Sequence, residues 1–273
     1  MWRGEMSKLF LIAGHTVQDQ LKRRSFYVLL ALALFFVLTL RSCYDASYTV
    51  NGQQLSGVSV AWHASLLAFQ LIASGMLMLS VLLATPVFTT DQQDGSMVLY
   101  LSRPVSRSQY LFGRLLGVWL LLSVFMLTLH GTVFLIAWQK SGGMIPGYIA
   151  ASLLCSVNLL FAITLSSLFS LFMPGFQAAT LSLIVIVVGF ISDGGQQLLN
   201  SQLVKAALSG ADTDASWWRL LYPKLYILQN YAVTVINGDE FHSFGPVHPL
   251  VNVVLYCAAL LFLLRCIFTR RDV

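Results

Sequence analysis

Long apolar stretches separated by short polar segments form the dominant pattern of the chain. Two of them, 62–88 and 115–138, contain no Asp, Glu, Lys or Arg. A hydrocarbon core is crossed by roughly 20 apolar residues in a helix, and a helix satisfies its backbone polar groups internally, as lipid requires. The pattern predicts one all-α integral membrane domain over 1–273. Its six transmembrane helices are predicted at 25–40, 62–88, 115–138, 145–172, 176–192 and 249–268.

The composition supports this prediction. Of the 273 residues, 57% are hydrophobic and 10% are charged, whereas soluble domains carry roughly 25% charged residues. With the N-terminus inside, the inside segments hold 11 of the 16 Lys and Arg residues, and the outside segments hold the other 5. Because cytoplasmic loops carry the excess of Lys and Arg, both termini are predicted to be cytoplasmic. The net charge of +5 reflects this topology and does not indicate a nucleic-acid partner.

The N-terminal segment 1–24 is predicted to be an amphipathic helix at the cytoplasmic membrane surface. Its apolar residues recur at helical spacing, and it ends in the basic run Lys22-Arg23-Arg24. Such a helix either anchors the chain or also contacts a partner.

The longest segment outside the apolar stretches is 193–248, which the topology places on the external side. Asp193 is predicted to cap a short helix that runs to about Leu208. The aromatic residues of the segment are typical of a membrane interface. They predict a helix over Trp217–Ile236, either at the outer leaflet or as a lid over the bundle. In the first external loop, Asn51-Gly52 favours a tight turn and predicts a short β-ribbon.

The polar segment 89–114 separates the two charge-free stretches and is predicted to be a cytoplasmic loop. Arg103, Arg107 and Arg114 give it a basic face. Pro104 would interrupt a helix there and leave short helical pieces on either side. This arrangement suits docking to a soluble motor protein.

Small residues at a spacing of four follow this segment. Gly113 and Gly117 allow another helix to approach closely. Such pairs are found both within one chain and at dimer contacts. Packing within the chain is the favoured interpretation.

No catalytic motif is present in the sequence. The P-loop pattern G-x-x-x-x-G-K-[ST] does not occur, and neither does H-E-x-x-H or G-x-S-x-G. His130 is the one histidine clearly in the middle of an apolar stretch, and a hydrogen-bonded packing role is favoured over a role in a pathway. We predict no catalytic residue, no metal site and no cofactor in this chain.

Residues 91–114 resemble the loop after the second span in the membrane subunits of type-2 ABC exporters (ABC-2 permeases). That loop has an acid, a turn with Gly, then Leu-x-x-Pro-Val-Ser-Arg, and Gly-Lys where the third span begins. Here Asp replaces the usual Glu and Arg replaces the usual Lys, so both charges are kept. The layout is most similar to stand-alone bacterial permeases such as that of the nitrous-oxide-reductase maturation system. The matching residues are Asp91, Gly95, Leu101, Pro104, Val105, Ser106, Arg107, Gly113 and Arg114.

The resemblance implies the permease subunit of an ATP-driven exporter in the bacterial inner membrane. Two copies would pair, each docked to a separate ATPase subunit that holds ATP and Mg. A periplasmic protein is a further candidate partner. The 89–114 loop and the N-terminal helix would form the coupling surface. The coupling residues implied are Asp91, Asp94, Gly95, Arg103, Pro104, Arg107, Gly113 and Arg114, and the candidate pathway residues are Gln70, Ser74, His130, Thr180 and Ser182.

Two other functions stay open from the sequence. The chain could be a scaffold or mechanical transducer that the same kind of ATPase drives without moving a substrate. The candidate pathway residues suit helix packing equally well. The chain could also be an intramembrane enzyme that uses His130. If a substrate is moved, the near absence of charge in the spans favours an amphipathic or lipid-like one.

Overall fold

The computed structural model describes residues 2–44, 49–50, 53–54, 57–93, 102, 105–141, 147–199, 222–239 and 247–270. Within these ranges the regular structure is helical apart from one short hairpin. The elements in chain order are α1 (Trp2–Lys22), α2 (Arg24–Tyr44), β1 (Thr49–Val50), β2 (Gln53–Gln54), α3 (Gly57–Gln93), α4 (Arg107–Ser141), α5 (Tyr148–Phe172), α6 (Gly175–Leu199), α7 (Leu225–Asn237) and α8 (Pro249–Arg270).

Five of the described helices, α3, α4, α5, α6 and α8, are long and apolar enough to cross a membrane. Helix α2 contains a shorter apolar stretch, Phe26–Thr39. The all-helical class is thus confirmed, and the five helices are compatible with an integral membrane protein. Large apolar side chains such as Phe35, Phe176 and Phe262 are exposed on the outside of the bundle, as expected where lipid replaces water.

The two strands form the hairpin that the sequence predicts between α2 and α3. Thr49 pairs with Gln54 and Val50 pairs with Gln53 in antiparallel register. This register leaves Asn51-Gly52 as the connecting dipeptide, so the prediction of a short β-ribbon is confirmed.

Helices α3 and α4 extend well beyond the apolar stretches that predicted them. α3 continues to Gln93 with Pro86 inside it, and α4 begins at Arg107. Apolar composition marks where a helix can meet lipid, whereas backbone hydrogen bonding continues into the polar flanks. The 89–114 segment is therefore helical at both of its described ends, where short helical pieces are predicted, but these pieces are continuous with the long apolar helices.

The external segment predicted at 193–248 agrees with the structure only in part. Residues 193–199 are helical as predicted, but they continue α6 and do not start a separate helix. The helix predicted over Trp217–Ile236 is wrong at 222–224, which are not helical, and α7 begins at Leu225. Proline fits only the first turn of a helix and disfavours helical geometry in the residue before it, so Pro223 accounts for this start. Residues 200–221 lie outside the described ranges.

One end of the bundle brings together the C-terminal ends of α3 and α8 and the N-terminal end of α4. Arg107 donates from Nη1 to the backbone O of Thr269 at 3.3 Å. The ring of Tyr110 on α4 stacks on Phe268 of α8, with 6.1 Å between the centroids. We call this the Arg114 end, after the buried charge described next.

Candidate functional site

Arg114, in the second turn of α4, connects three helices. Its guanidinium donates from Nη2 to Asp91 Oδ1 on α3 at 2.8 Å and from Nη1 to Asp19 Oδ2 on α1 at 3.1 Å. Nη1 also donates to the hydroxyl of Thr16 on α1 at 3.3 Å. Only 4% of Arg114 is exposed, so its charge is satisfied mainly by protein groups.

Tyr110 adds a further bond to Asp91. Its hydroxyl donates to Asp91 Oδ2, and its ring centroid lies 5.7 Å from the guanidinium carbon of Arg114. Tyr110 and Arg114 are four residues apart on α4 and therefore share one helix face. We call the five residues the Arg114 cluster: Thr16, Asp19, Asp91, Tyr110 and Arg114.

The two acids of the cluster hold Arg114 with different strength. Asp91 is buried, and removing one partner of a buried ion pair leaves an uncompensated charge, at a cost of roughly 3–5 kcal/mol. The Asp19 side chain is 48% exposed, and exposed pairs contribute only about 0–1 kcal/mol. The connection from α4 to α3 is therefore the strong one, whereas the ion pair to α1 is easily exchanged for water.

Two glycines bring α1 close to α4 beside the cluster. A Cβ atom at Gly113 would lie 2.8 Å from the Cβ of Ile12, and one at Gly117 would lie 2.7 Å from the backbone O of Ala13. Neither separation leaves room for a side chain without moving α1. The prediction that this glycine pair packs within the chain is confirmed, and its partner is α1.

Helix α4 starts with a capping box within the Pro-Val-Ser-Arg motif. The Ser106 hydroxyl accepts from the N–H of Gln109 at 3.2 Å, and the side-chain O of Gln109 accepts from the N–H of Ser106 at 3.0 Å. Such reciprocal bonds satisfy two donors at a helix start. They fix where α4 begins and thereby keep Arg107 at the Arg114 end.

The fold brings together part of the set that the resemblance assigns to coupling. Asp91 and Arg114 pair directly, Gly113 packs beside them, and Arg107 lies at the same end of the bundle. The other four, Asp94, Gly95, Arg103 and Pro104, lie outside the described residues.

Sequence reasoning missed three members of the cluster. Tyr110 carried a signal, since it stands four residues before Arg114 on a predicted helix. Thr16 and Asp19 carried none, because their partner lies 98 and 95 residues further along the chain. Only the packing of α1 on α4 brings them together.

A second polar group lies toward the opposite end of α3. Gln229 on α7 donates from Nε2 to the backbone O of Gln70 at 2.7 Å and accepts from the Ser74 hydroxyl at 3.3 Å. Gln70 donates from Nε2 to Asn230 Oδ1 at 3.2 Å. With a rise of 1.5 Å per residue, Gln70 and Ser74 lie roughly 25–32 Å from Asp91 along α3. Both candidate pathway residues thus bind α7 to the bundle.

The two candidate pathway residues on α6 make their hydrogen bonds elsewhere. The Thr180 hydroxyl donates to the backbone O of Phe176 at 2.9 Å, and the Ser182 hydroxyl donates to that of Ala178 at 2.7 Å. Both hydroxyls are therefore satisfied by their own helix.

His130 is buried and engaged at both ring nitrogens. Nδ1 lies 2.8 Å from the Ser152 hydroxyl, and Nε2 lies 3.3 Å from the backbone O of Phe69. The imidazole also stacks on the Phe69 ring, with 4.3 Å between centroids. These contacts agree with a packing role. Within the described ranges, no group of three or more His, Cys, Asp or Glu residues is arranged to hold a metal ion.

No model of a known protein family matches the chain, and no curated protein matches it either. The resemblance to ABC-2 permeases therefore rests on the motif at 91–114 and on the layout of the spans. Two charged positions of that motif, Asp91 and Arg114, are the pair at the centre of the Arg114 cluster.

Proposed function

We propose that this chain is the permease subunit of an ATP-driven exporter of the ABC-2 type and that a separate subunit hydrolyses ATP. The ATPase subunit docks at the Arg114 end. Its movement is passed through the Arg114 cluster to the apolar helices. Two copies of the chain form the path across the inner membrane.

The observation that carries this proposal is the pairing of Arg114 with acids on two other helices. One side chain of α4 binds α3 through Asp91 and α1 through Asp19. Asp91 belongs to the 89–114 segment and Asp19 to the N-terminal helix, which are the two elements that the resemblance assigns to the coupling surface. Because α3 and α4 are continuous helices of 37 and 35 residues, a displacement of their ends is carried along their length.

The proposal includes six crossings, with α2 as the sixth. α1 is held at the Arg114 end, and α3 also ends there, at Asp91. At 1.5 Å per residue, the first residue of α3 lies about 55 Å from its last. The chain between Lys22 and Gly57 has to cover most of that distance. α2, about 32 Å long by the same rise, supplies a crossing of the bilayer.

Purification from cells that also express the neighbouring genes tests the proposal. In mild detergent, the chain should bring with it a subunit that has a P-loop and hydrolyses ATP. The hydrolysis rate should depend on the permease being present. A well-folded chain that never retains an ATP-hydrolysing subunit would contradict the proposal.

A further inference from the structure

A concave apolar pocket of about 430 Å³ lies in the corner where α1 leads into α2 beside α4. Ligand pockets typically have volumes of roughly 300–1,000 Å³, so the corner has room for part of a small molecule. The coupling proposal makes no use of it. Its walls include Val17 and Leu21 from α1, Phe26 and Leu30 from α2, and Val124 and Phe125 from α4.

The chemistry of the walls suits an apolar occupant. Eight of the nine lining residues are apolar, and the ninth is Thr128. Its hydroxyl donates to the backbone O of Phe125 at 2.7 Å, so the helix already uses that donor. Ordered water needs two to four polar partners, which these walls do not offer. Val124 is 58% exposed, so the pocket opens toward the outside of the bundle, where acyl chains would lie.

Basic residues connect two of the residues that line this pocket. Leu21 and Phe26 both line it, and the chain between them reads Lys22-Arg23-Arg24-Ser25. Lys22 is exposed and Arg23 is half-buried. An apolar cleft with cations next to it in the chain complements a phospholipid whose headgroup is anionic, because clustered Lys and Arg beside a span attract such headgroups.

We propose that this corner binds one phospholipid with an anionic headgroup. An acyl chain fills the pocket, and the phosphate lies against Lys22 and Arg23. The lipid comes from the leaflet that faces the Arg114 end. Because Val17 and Leu21 belong to the helix that carries Asp19, the bound lipid supports the packing of α1 beside α4. The proposal requires only that the chain lies in a membrane, and it does not depend on coupling to an ATPase.

Filling the pocket tests the acyl-chain part. The chain is reconstituted in vesicles of equal parts phosphatidylglycerol and phosphatidylethanolamine, extracted in mild detergent and weighed by native mass spectrometry. The unaltered chain should retain one phosphatidylglycerol per copy. Val124→Trp should lose it, whereas Val188→Trp on α6, a valine of matching exposure at 59%, should keep it. Equal lipid retention by the two variants overturns the proposal.

Removing the charges of Lys22 and Arg23 tests whether they bind the anionic headgroup. The double change Lys22→Gln and Arg23→Gln should lower the preference for phosphatidylglycerol over phosphatidylethanolamine by about fivefold per charge. An unchanged preference overturns the proposal and leaves these residues only a role in topology. The proposal is also overturned if Val124→Trp alters the number of chains per particle while lipid retention stays constant, because the face then belongs to a second copy. Failure of the ATPase proposal would leave all these results unchanged.

Discussion

Arg114 on α4 and Asp91 on α3 form an ion pair, with 2.7 Å between Nη2 and Oδ2, although they stand 23 positions apart in the chain. The pair bridges the connection between the two longest helices of the described chain. Because both side chains are buried, the relative position of α3 and α4 is fixed at this point. A force applied at the connection therefore acts on both helices together.

Breaking this pair from one side should destabilise the protein strongly. Asp91→Asn leaves the guanidinium of Arg114 buried with a neutral partner, at an expected cost of roughly 3–5 kcal/mol. Asp19→Asn is the control, because that side chain is 48% exposed and should change stability by about 1 kcal/mol or less. The melting temperatures of the purified variants in one detergent check the difference.

A double variant separates loss of the pair from general damage. Asp91→Asn combined with Arg114→Met removes both charges, so it should be less destabilised than the sum of the two single changes. If the change in melting temperature of the double variant equals the sum of the two single changes, the two side chains do not depend on each other.

The close approach of α1 to α4 predicts opposite effects for the same substitution at two sites of α4. Gly117→Ala places a Cβ 2.7 Å from the backbone O of Ala13 and should cost about 1–3 kcal/mol as overpacking. Gly131→Ala meets nothing within 4 Å and should stabilise the helix by about 0.5–1 kcal/mol. Thermal unfolding measures both, and equal shifts would argue against the packing of α1 described above.

The sequence was informative where one local rule decides the structure. Charge-free stretches located the apolar helices, and Asn51-Gly52 located the hairpin. Apolar composition did not locate the ends of α3 and α4, although the capping pair Ser106 and Gln109 was a readable sign of where α4 starts. The partners of Arg114 could not be found from spacing, because the distance along the chain to Asp19 says nothing about the packing of α1.

The polar group that binds α7 predicts a stability difference between two glutamines. Gln229 is 3% exposed and bonds to α3, so Gln229→Ala should leave buried groups unpaired and cost about 1–3 kcal/mol. Gln177 on α6 is exposed, and Gln177→Ala should have little effect. Melting temperatures and limited proteolysis around α7 check this prediction. Equal behaviour of the two variants would mean that α7 is held by other contacts.

The proposed sixth crossing predicts that two exposed glycines lie on opposite sides of the membrane. Gly14 on α1 and Gly57 at the start of α3 each have open space around them, so cysteine fits at both. In a chain whose four cysteines are replaced by alanine, a membrane-impermeant maleimide on intact cells should label Gly57→Cys and not Gly14→Cys. Labelling of both positions, or of neither until the cells are opened, would place α2 on one side only.

The most direct test of the proposed coupling at the Arg114 end is the rate of ATP hydrolysis by the complex of this chain with the proposed ATPase subunit. Arg107 lies at that end through its bond to the backbone of Thr269. We expect Arg107→Glu to abolish the permease-dependent part of the rate and Arg107→Lys to retain most of it, with both variants folded and in the membrane. If Arg107→Glu hydrolyses ATP at the rate of the unaltered complex, the ATPase does not act through this end of the bundle.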